Sequence, residues 1–120
     1  MKHSMKLFQE PFIKISKGTK TIELRLYDEK RSKINVGDLI EFTMIDDSDQ
    51  KIVVEVTALY RFNSFSDLYK KLPLNKLGYP AGKEASPDHM LNYYSADQQK
   101  KYGVVGIEFV LLHNESFIKN

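Results

Sequence analysis

The run Lys51 to Phe62, KIVVEVTALYRF, restricts the possible folds more than any other stretch. Valine, isoleucine, threonine and aromatic residues dominate it, which is the composition of a β-strand and not of a surface helix. Just upstream, Val36-Gly37-Asp38 reads as a turn that opens a strand through Leu39, Ile40, Phe42, Met44 and Ile45. Asp46-Asp47-Ser48-Asp49 lies between the two runs and supplies hairpin-loop chemistry, so an antiparallel hairpin is predicted. A second apolar run, Gly103 to Leu112 (GVVGIEFVLL), predicts a last strand buried on much of both faces. The eight residues after it read as a tail.

Short helices are predicted around these strands. Residues 10–17 form one, with Pro11 tolerated in its first turn and Gly18 at its end. Ser64 caps another, whose Leu68, Tyr69 and Leu72 have helical spacing and which Pro73 terminates. Leu74 to Ala85 contains Gly78, Pro80 and Gly82 and reads as a loop. Ser86-Pro87-Asp88 opens a helical segment with Met90, Leu91 and Tyr94 as its apolar stripe, and Ser95 to Gln98 has the spacing of a capping box. Met5 to Phe8 reads as a brief first strand, and the charged stretch Tyr27 to Lys33 as a loop. The resulting expectation is a single α+β domain. It is a small β-barrel of mixed or antiparallel strands, with short helices inserted before the first main strand and before the last.

Composition excludes several functions. Eighteen basic residues face sixteen acidic ones, a formal net charge of +2, so any nucleic-acid contact needs a local basic patch. The absence of cysteine excludes disulfides, thiolate metal sites and a cysteine nucleophile. His3, His89 and His113 have no metal-ligand spacing, so neither a metal nor another cofactor is expected. No apolar run reaches the roughly 20 residues of a membrane span. The opening MKHSMKLFQE has no apolar signal core, and a cytoplasmic protein, monomeric or weakly dimeric and without membrane contact, is expected.

Lys17 to Arg31, KGTKTIELRLYDEKR, is the stretch that most resembles a site. It alternates with period two: Ile22, Leu24 and Leu26 on one face, Thr21, Glu23 and Arg25 on the other. Lys20 follows the glycine turn, where its ammonium can neutralise a phosphate or polarise a carbonyl. Arg25 offers a planar fork for a phosphate or a base edge, and Glu23 can accept from an exocyclic amine; the bland alternative is a surface ion pair. Lys30, Arg31 and Lys33 form a basic cluster, either a solvated loop or a set of phosphate contacts. Tyr93, Tyr94 and Tyr102 are candidates for stacking on a base, with core packing as the alternative for Tyr94.

The segments PFIKISKGTKTIELRL, KINVGDLIEF and KYGVVGIEFVLL together resemble the ASCH domain, a relative of the PUA RNA-binding domain, over roughly residues 5–112. The most specific part is Gly18-x-Lys20-Thr21-Ile22-Glu23-x-Arg25 with Gly37-Asp38 downstream. The resemblance implies a PUA-like barrel with a cleft beside the opening strand, binding RNA or a nucleoside-like small molecule. Lys20, Thr21, Glu23, Arg25, Lys30, Arg31 and Tyr93 are the ligand-binding candidates. A subgroup of the family, the small bacterial acetylcytidine amidohydrolases, removes an acetyl group from the exocyclic nitrogen. Its catalytic lysine position falls on Lys20. Its threonine position falls on Glu23, a departure from the pattern, and Glu84 is the one glutamate in the stretch where its distal glutamate would lie. The second reading is therefore an amidohydrolase in which Lys20 and Glu23 are the catalytic pair.

Overall fold

The computed structural model describes residues 1–80 and 85–114. Five strands, β1 (Lys2–Leu7), β2 (Ile22–Leu26), β3 (Leu39–Met44), β4 (Asp47–Phe62) and β5 (Val104–Asn114), form one curled sheet in the order β1-β3-β4-β5-β2. This is a mixed α+β half-barrel. The expected hairpin is β3–β4, paired antiparallel from Leu39↔Glu55 to Met44↔Asp47. Its turn is tighter than the polar tetrad implies, because Asp47 to Asp49 already belong to β4 and a bulge at Thr43/Met44 adjusts the register. β1 begins earlier than Met5 and lies parallel to β3, so the sheet is mixed.

Both faces of the sheet are covered, and the period-two pattern shows how. Along β5, Val105, Ile107 and Phe109 join the inner cluster inside the curl, with Met5, Leu7, Ile40, Phe42, Ile52, Val54 and Val56. The helix α1 (Gln9–Ser16) plugs this cluster with Phe12 and Ile15, its buried residues one turn apart. Val104 and the apolar face of β2, Ile22, Leu24 and Leu26, join an outer cluster with Phe65, Leu68 and Tyr69 of α3 (Phe65–Lys71). The expected burial on much of both faces holds from Val104 to Phe109 and fades beyond it, where Val110, Leu111 and Leu112 are exposed.

Three segments expected as loops or helices differ in detail. The charged stretch after β2 contains a one-turn helix, α2 (Glu29–Ser32), because Asp28 accepts from the Arg31 N–H and so caps it. Leu74–Leu77, expected as loop, is a 3₁₀ turn that ends at Gly78 (φ 102°). The segment after Ser86 is likewise a 3₁₀ turn, Pro87–Asn92, in which Met90 is buried and Leu91 exposed. The capping box at Ser95 and Gln98 is present and starts α4 (Ala96–Tyr102). The strand β5 runs on through Asn114, into the expected tail.

Gly106 sets how closely α3 can sit on the sheet. A Cβ there would lie 2.9 Å from Leu72 Cδ1 and 3.3 Å from Ile22 Cγ2. We therefore expect Gly106→Val to lower the unfolding free energy by about 1–3 kcal/mol through overpacking. Urea denaturation monitored by circular dichroism measures this.

Candidate functional site

The site is assembled where the curled sheet fails to close. β1 and β2 are its two edges, and no ladder joins them. Glu23 and Arg25 stand opposite Ile107 and Val105 on β5, so they share the inner face with those residues. The polar face of β2 thus points into the mouth of the half-barrel and not into open solvent. Arg25 crosses the seam: its Nη2 donates to the Lys6 carbonyl of β1 at 2.8 Å, and its Nε donates to Glu23 Oε2 at 2.8 Å. Lys20 Nζ reaches the other carboxylate oxygen, Glu23 Oε1, at 2.9 Å. The three side chains are 12% (Lys20), 7% (Glu23) and 13% (Arg25) exposed, which makes this a buried triad and not the surface ion pair of the bland reading.

Electrostatics follow from that geometry. Burial by itself raises the Glu23 pKa, but the adjacent charges of Lys20 and Arg25, with their hydrogen bonds, outweigh it and hold the carboxyl down at about 2. Burial also opposes the charge of Arg25, and Glu23 outweighs it, so the guanidinium is held above its ordinary pKa. Lys20 itself is placed by the chain that leaves α1. The Lys14 carbonyl accepts from the N–H groups of Thr19 (2.9 Å) and Lys20 (3.2 Å), and Gly18 turns the chain with φ 79°.

Above the triad lies a cleft of about 720 Å³. One wall carries Phe8, Tyr93 and His89, with Tyr93 6.0 Å from the Phe8 ring and edge-on to His89 at 5.6 Å. Tyr69 and Tyr79 also line the cleft, with their hydroxyls 2.8 Å apart; burial and this contact push the Tyr69 phenol above its ordinary pKa. Lys14 Nζ donates to the Gly78 carbonyl at 2.9 Å and ties the 3₁₀ turn before Gly78 over the aliphatic stem of Lys20. Lys6, Lys14, Lys20 and Arg25 line the cleft against two carboxylates, Glu10 and Glu23.

Leu24 lines the cleft from β2, an edge strand of the sheet. Phe109 N–H donates to the Thr21 carbonyl and Tyr27 N–H to the Gly103 carbonyl, so the odd-numbered residues of this ladder exchange hydrogen bonds with β5. By the alternation of antiparallel pairs, the N–H and C=O of Ile22, Leu24 and Leu26 point away from β5. Leu24 lines the cleft, and among the described residues no group pairs with its N–H or C=O.

Of the candidates named from sequence, Lys20, Glu23, Arg25 and Tyr93 come together here, with Tyr94 beside them stacked on Phe65. Thr21 is adjacent in sequence, but it is held by its main chain, donating to the Lys76 carbonyl, and does not line the cleft. Lys30 and Arg31 lie on α2 and do not line it either; Arg31 Nη1 is paired with Asp28 at 2.8 Å. Glu84 lies outside the described residues. His3 pairs with Asp38 at 2.8 Å, and no cluster of His, Cys, Asp or Glu suited to a metal ion occurs among the described residues. Phe8, Lys14, Tyr69 and Tyr79 escape a reading of the sequence, because only the folding of α1 and the 3₁₀ turn against β2 brings them together.

The sequence matches the ASCH domain over residues 5–113. The chain belongs to the ASCH domain family. Among solved structures, this ASCH chain is similar to hypothetical protein PH0355, with 33% identity, a TM-score of 0.77, and coverage of 93% of this chain and 100% of that one. It is also similar to protein PF0455 from Pyrococcus furiosus, at 36% identity and a TM-score of 0.71, covering 94% and 99% of the two chains. ASCH from Zymomonas mobilis shares the fold at 11% identity, with a TM-score of 0.64 over 92% of this chain and 70% of that one. No curated protein matches the sequence. No helix among the described residues of this ASCH domain is long and apolar enough to cross a membrane.

The triad makes stability depend on pH with a defined sign. Glu23 has a folded pKa of about 2, below its ordinary value of 4.5, so between those values the unfolded chain binds more protons. The stabilisation is complete above about pH 4.5 and is lost as the pH falls toward 2. Glu23→Gln leaves two buried cations unpaired, and we expect it to cost about 3–5 kcal/mol at neutral pH. It should also flatten, without abolishing, the loss between pH 4.5 and 2, because Asp38 is likewise held at about 2, chiefly by its hydrogen bond with His3. Urea titrations of both proteins across that range provide the check.

Proposed function

We propose that this ASCH domain binds a nucleobase-bearing ligand, either a residue of RNA or a free nucleoside, in the cleft above Lys20, Glu23 and Arg25. The observation that carries the proposal is the buried triad beneath a wide, aromatic-walled cleft. Three ionised groups at the mouth of a barrel cost desolvation that apolar residues would avoid. A polar ligand that uses them gives that cost a purpose.

Each group has a role in this reading. Tyr93 and Phe8 offer ring faces to a base. Lys20 and Arg25, fixed in direction by Glu23, stabilise a phosphate or a base carbonyl. The N–H and C=O of Leu24 form a donor beside an acceptor, complementary to the N3 and exocyclic amine of cytosine or the N1 and amine of adenine. Glu23 retains lone pairs beyond the two that it shares with the cations, and can accept from the same amine. Thr21 contributes by holding the start of β2. Lys30 and Arg31 contact only an RNA strand that extends beyond the cleft.

The hydrolytic alternative uses the same site. On the resemblance, Lys20 falls at the lysine position of the acetylcytidine amidohydrolases, and Glu23 would carry the proton in place of their threonine. Both oxygens of Glu23 are engaged by cations, which suits a structural anion better than a proton carrier and places binding first.

Titrating cytidine, adenosine and a short RNA into isotopically labelled protein at up to millimolar concentration should shift cleft amides, with the Leu24 N–H among them. Tyr93→Ala should weaken that binding by roughly tenfold. If no nucleoside or RNA shifts these resonances, the proposal fails. Release of cytidine from acetylcytidine by the parent, abolished in Lys20→Ala, would replace it with the hydrolytic reading.

A further inference from the structure

A second groove, of about 1000 Å³, lies on the far side of α3. Its walls are α3 and α4, lined from Ser64 to Lys71 and from Ala96 to Tyr102, and its floor is the end of β4 and the chain around Gly103. Five cations line it: Arg61, Lys70, Lys71, Lys100 and Lys101. None of them has a carboxylate within 4.0 Å among the described residues, although nine ion pairs occur elsewhere among those residues. Asp67 is the single acidic residue of the lining. A chain with a net charge of +2 therefore concentrates about twice that charge in one groove.

Lysines in a last helical turn have an ordinary explanation, since they complement the dipole of their own helix. That accounts for each pair separately. It does not account for two helices turning their lysines into the same groove, nor for Arg61, which belongs to a strand. The Arg61 guanidinium lies 3.8 Å above the Tyr27 ring and Lys101 Nζ lies 5.2 Å from that of Tyr102, so two aromatic rings lie among the cations, each with a cation over one face. Tyr102 is 38% exposed.

One buried hydrogen bond links the two helices. The Phe65 N–H at the start of α3 donates to Gln99 Oε1 of α4 at 3.1 Å. Tyr27 N–H donates to the Gly103 carbonyl, and a Cβ on Gly103 would lie 3.1 Å from the Phe62 carbonyl oxygen, so this part of the floor is closely packed.

We propose that this groove is a second binding site, independent of the cleft, for the backbone of a single-stranded nucleic acid. Unpaired cations along a groove neutralise successive phosphates, and an exposed tyrosine among them gives a base a face to stack on. An acidic peptide would use the cations and leave the rings idle.

Fluorescence anisotropy of a labelled fifteen-residue oligouridylate tests this at several salt concentrations. The parent should bind with a strong salt dependence. Replacing Lys70, Lys71, Lys100 and Lys101 together by alanine should weaken binding more than tenfold and make the salt slope shallower by about 0.7 for each phosphate that is no longer neutralised. These side chains are exposed, and the thermal transition of the variant confirms that it folds. Tyr102→Ala should weaken binding severalfold with the salt slope unchanged, and binding of single nucleosides in the cleft should persist in both variants. The proposal is overturned if the parent does not bind the oligonucleotide, if the four substitutions leave affinity unchanged, or if polyglutamate of equal charge competes as well as RNA.

Discussion

One carboxylate holds the site together. Glu23 receives Lys20 on one oxygen and Arg25 on the other, and Arg25 continues to the Lys6 carbonyl on the opposite edge of the sheet. The half-barrel has no backbone ladder between β1 and β2, so this chain of charged hydrogen bonds takes the place of one. Backbone pairing would have closed the barrel and left no opening. A side-chain bridge keeps the edges linked at one point and leaves the N–H and C=O of Leu24 facing the space between them.

That arrangement explains why the cleft can be both polar and ordered. Free lysine and arginine side chains would sample many rotamers and lose that freedom on binding. Here Glu23 has already fixed their directions. The aromatic wall is fixed in a different way, through the packing of α1 and the two 3₁₀ turns around the edge strand, with Lys14 as the tie between α1 and Gly78. The groove between α3 and α4 contrasts with the cleft: its cations have no carboxylate partners among the described residues, which suits an extended polyanion more than a single small ligand.

The sequence carries a good deal of this, and the parts that it hides have a common cause. Apolar alternation and turn residues place β2, the β3–β4 hairpin, β5, α1 and the box at Ser95 close to where they lie. Glu23 and Arg25 stand out from the same alternation. Their burial does not, because period two separates two faces without saying that the polar one turns into a barrel mouth. The short elements α2, Leu74–Leu77 and Pro87–Asn92 depend on single caps and turns, in stretches whose charge or glycine and proline content otherwise reads as irregular. Tyr79, Lys14 and Phe8 carry no local signal, since their proximity is a product of topology. The groove cations look like ordinary helix ends until α3 and α4 are placed side by side.

The strand order has a consequence for how the protein comes into being on the ribosome. The hairpin β3–β4 is local and can form as soon as it emerges, and β1 can then join it in parallel. β2 cannot follow in turn, because its only ladder partner is β5, the strand made last among those described. Until Glu108 is available to stand opposite Ile22, the segment that bears Glu23 and Arg25 has no sheet to belong to, and its ionised groups remain hydrated. Formation of the cleft therefore waits for the most distant contacts in the chain. A nascent chain stalled before β5 would lack the strand that partners both β2 and the far edge of β4, and with it the cleft.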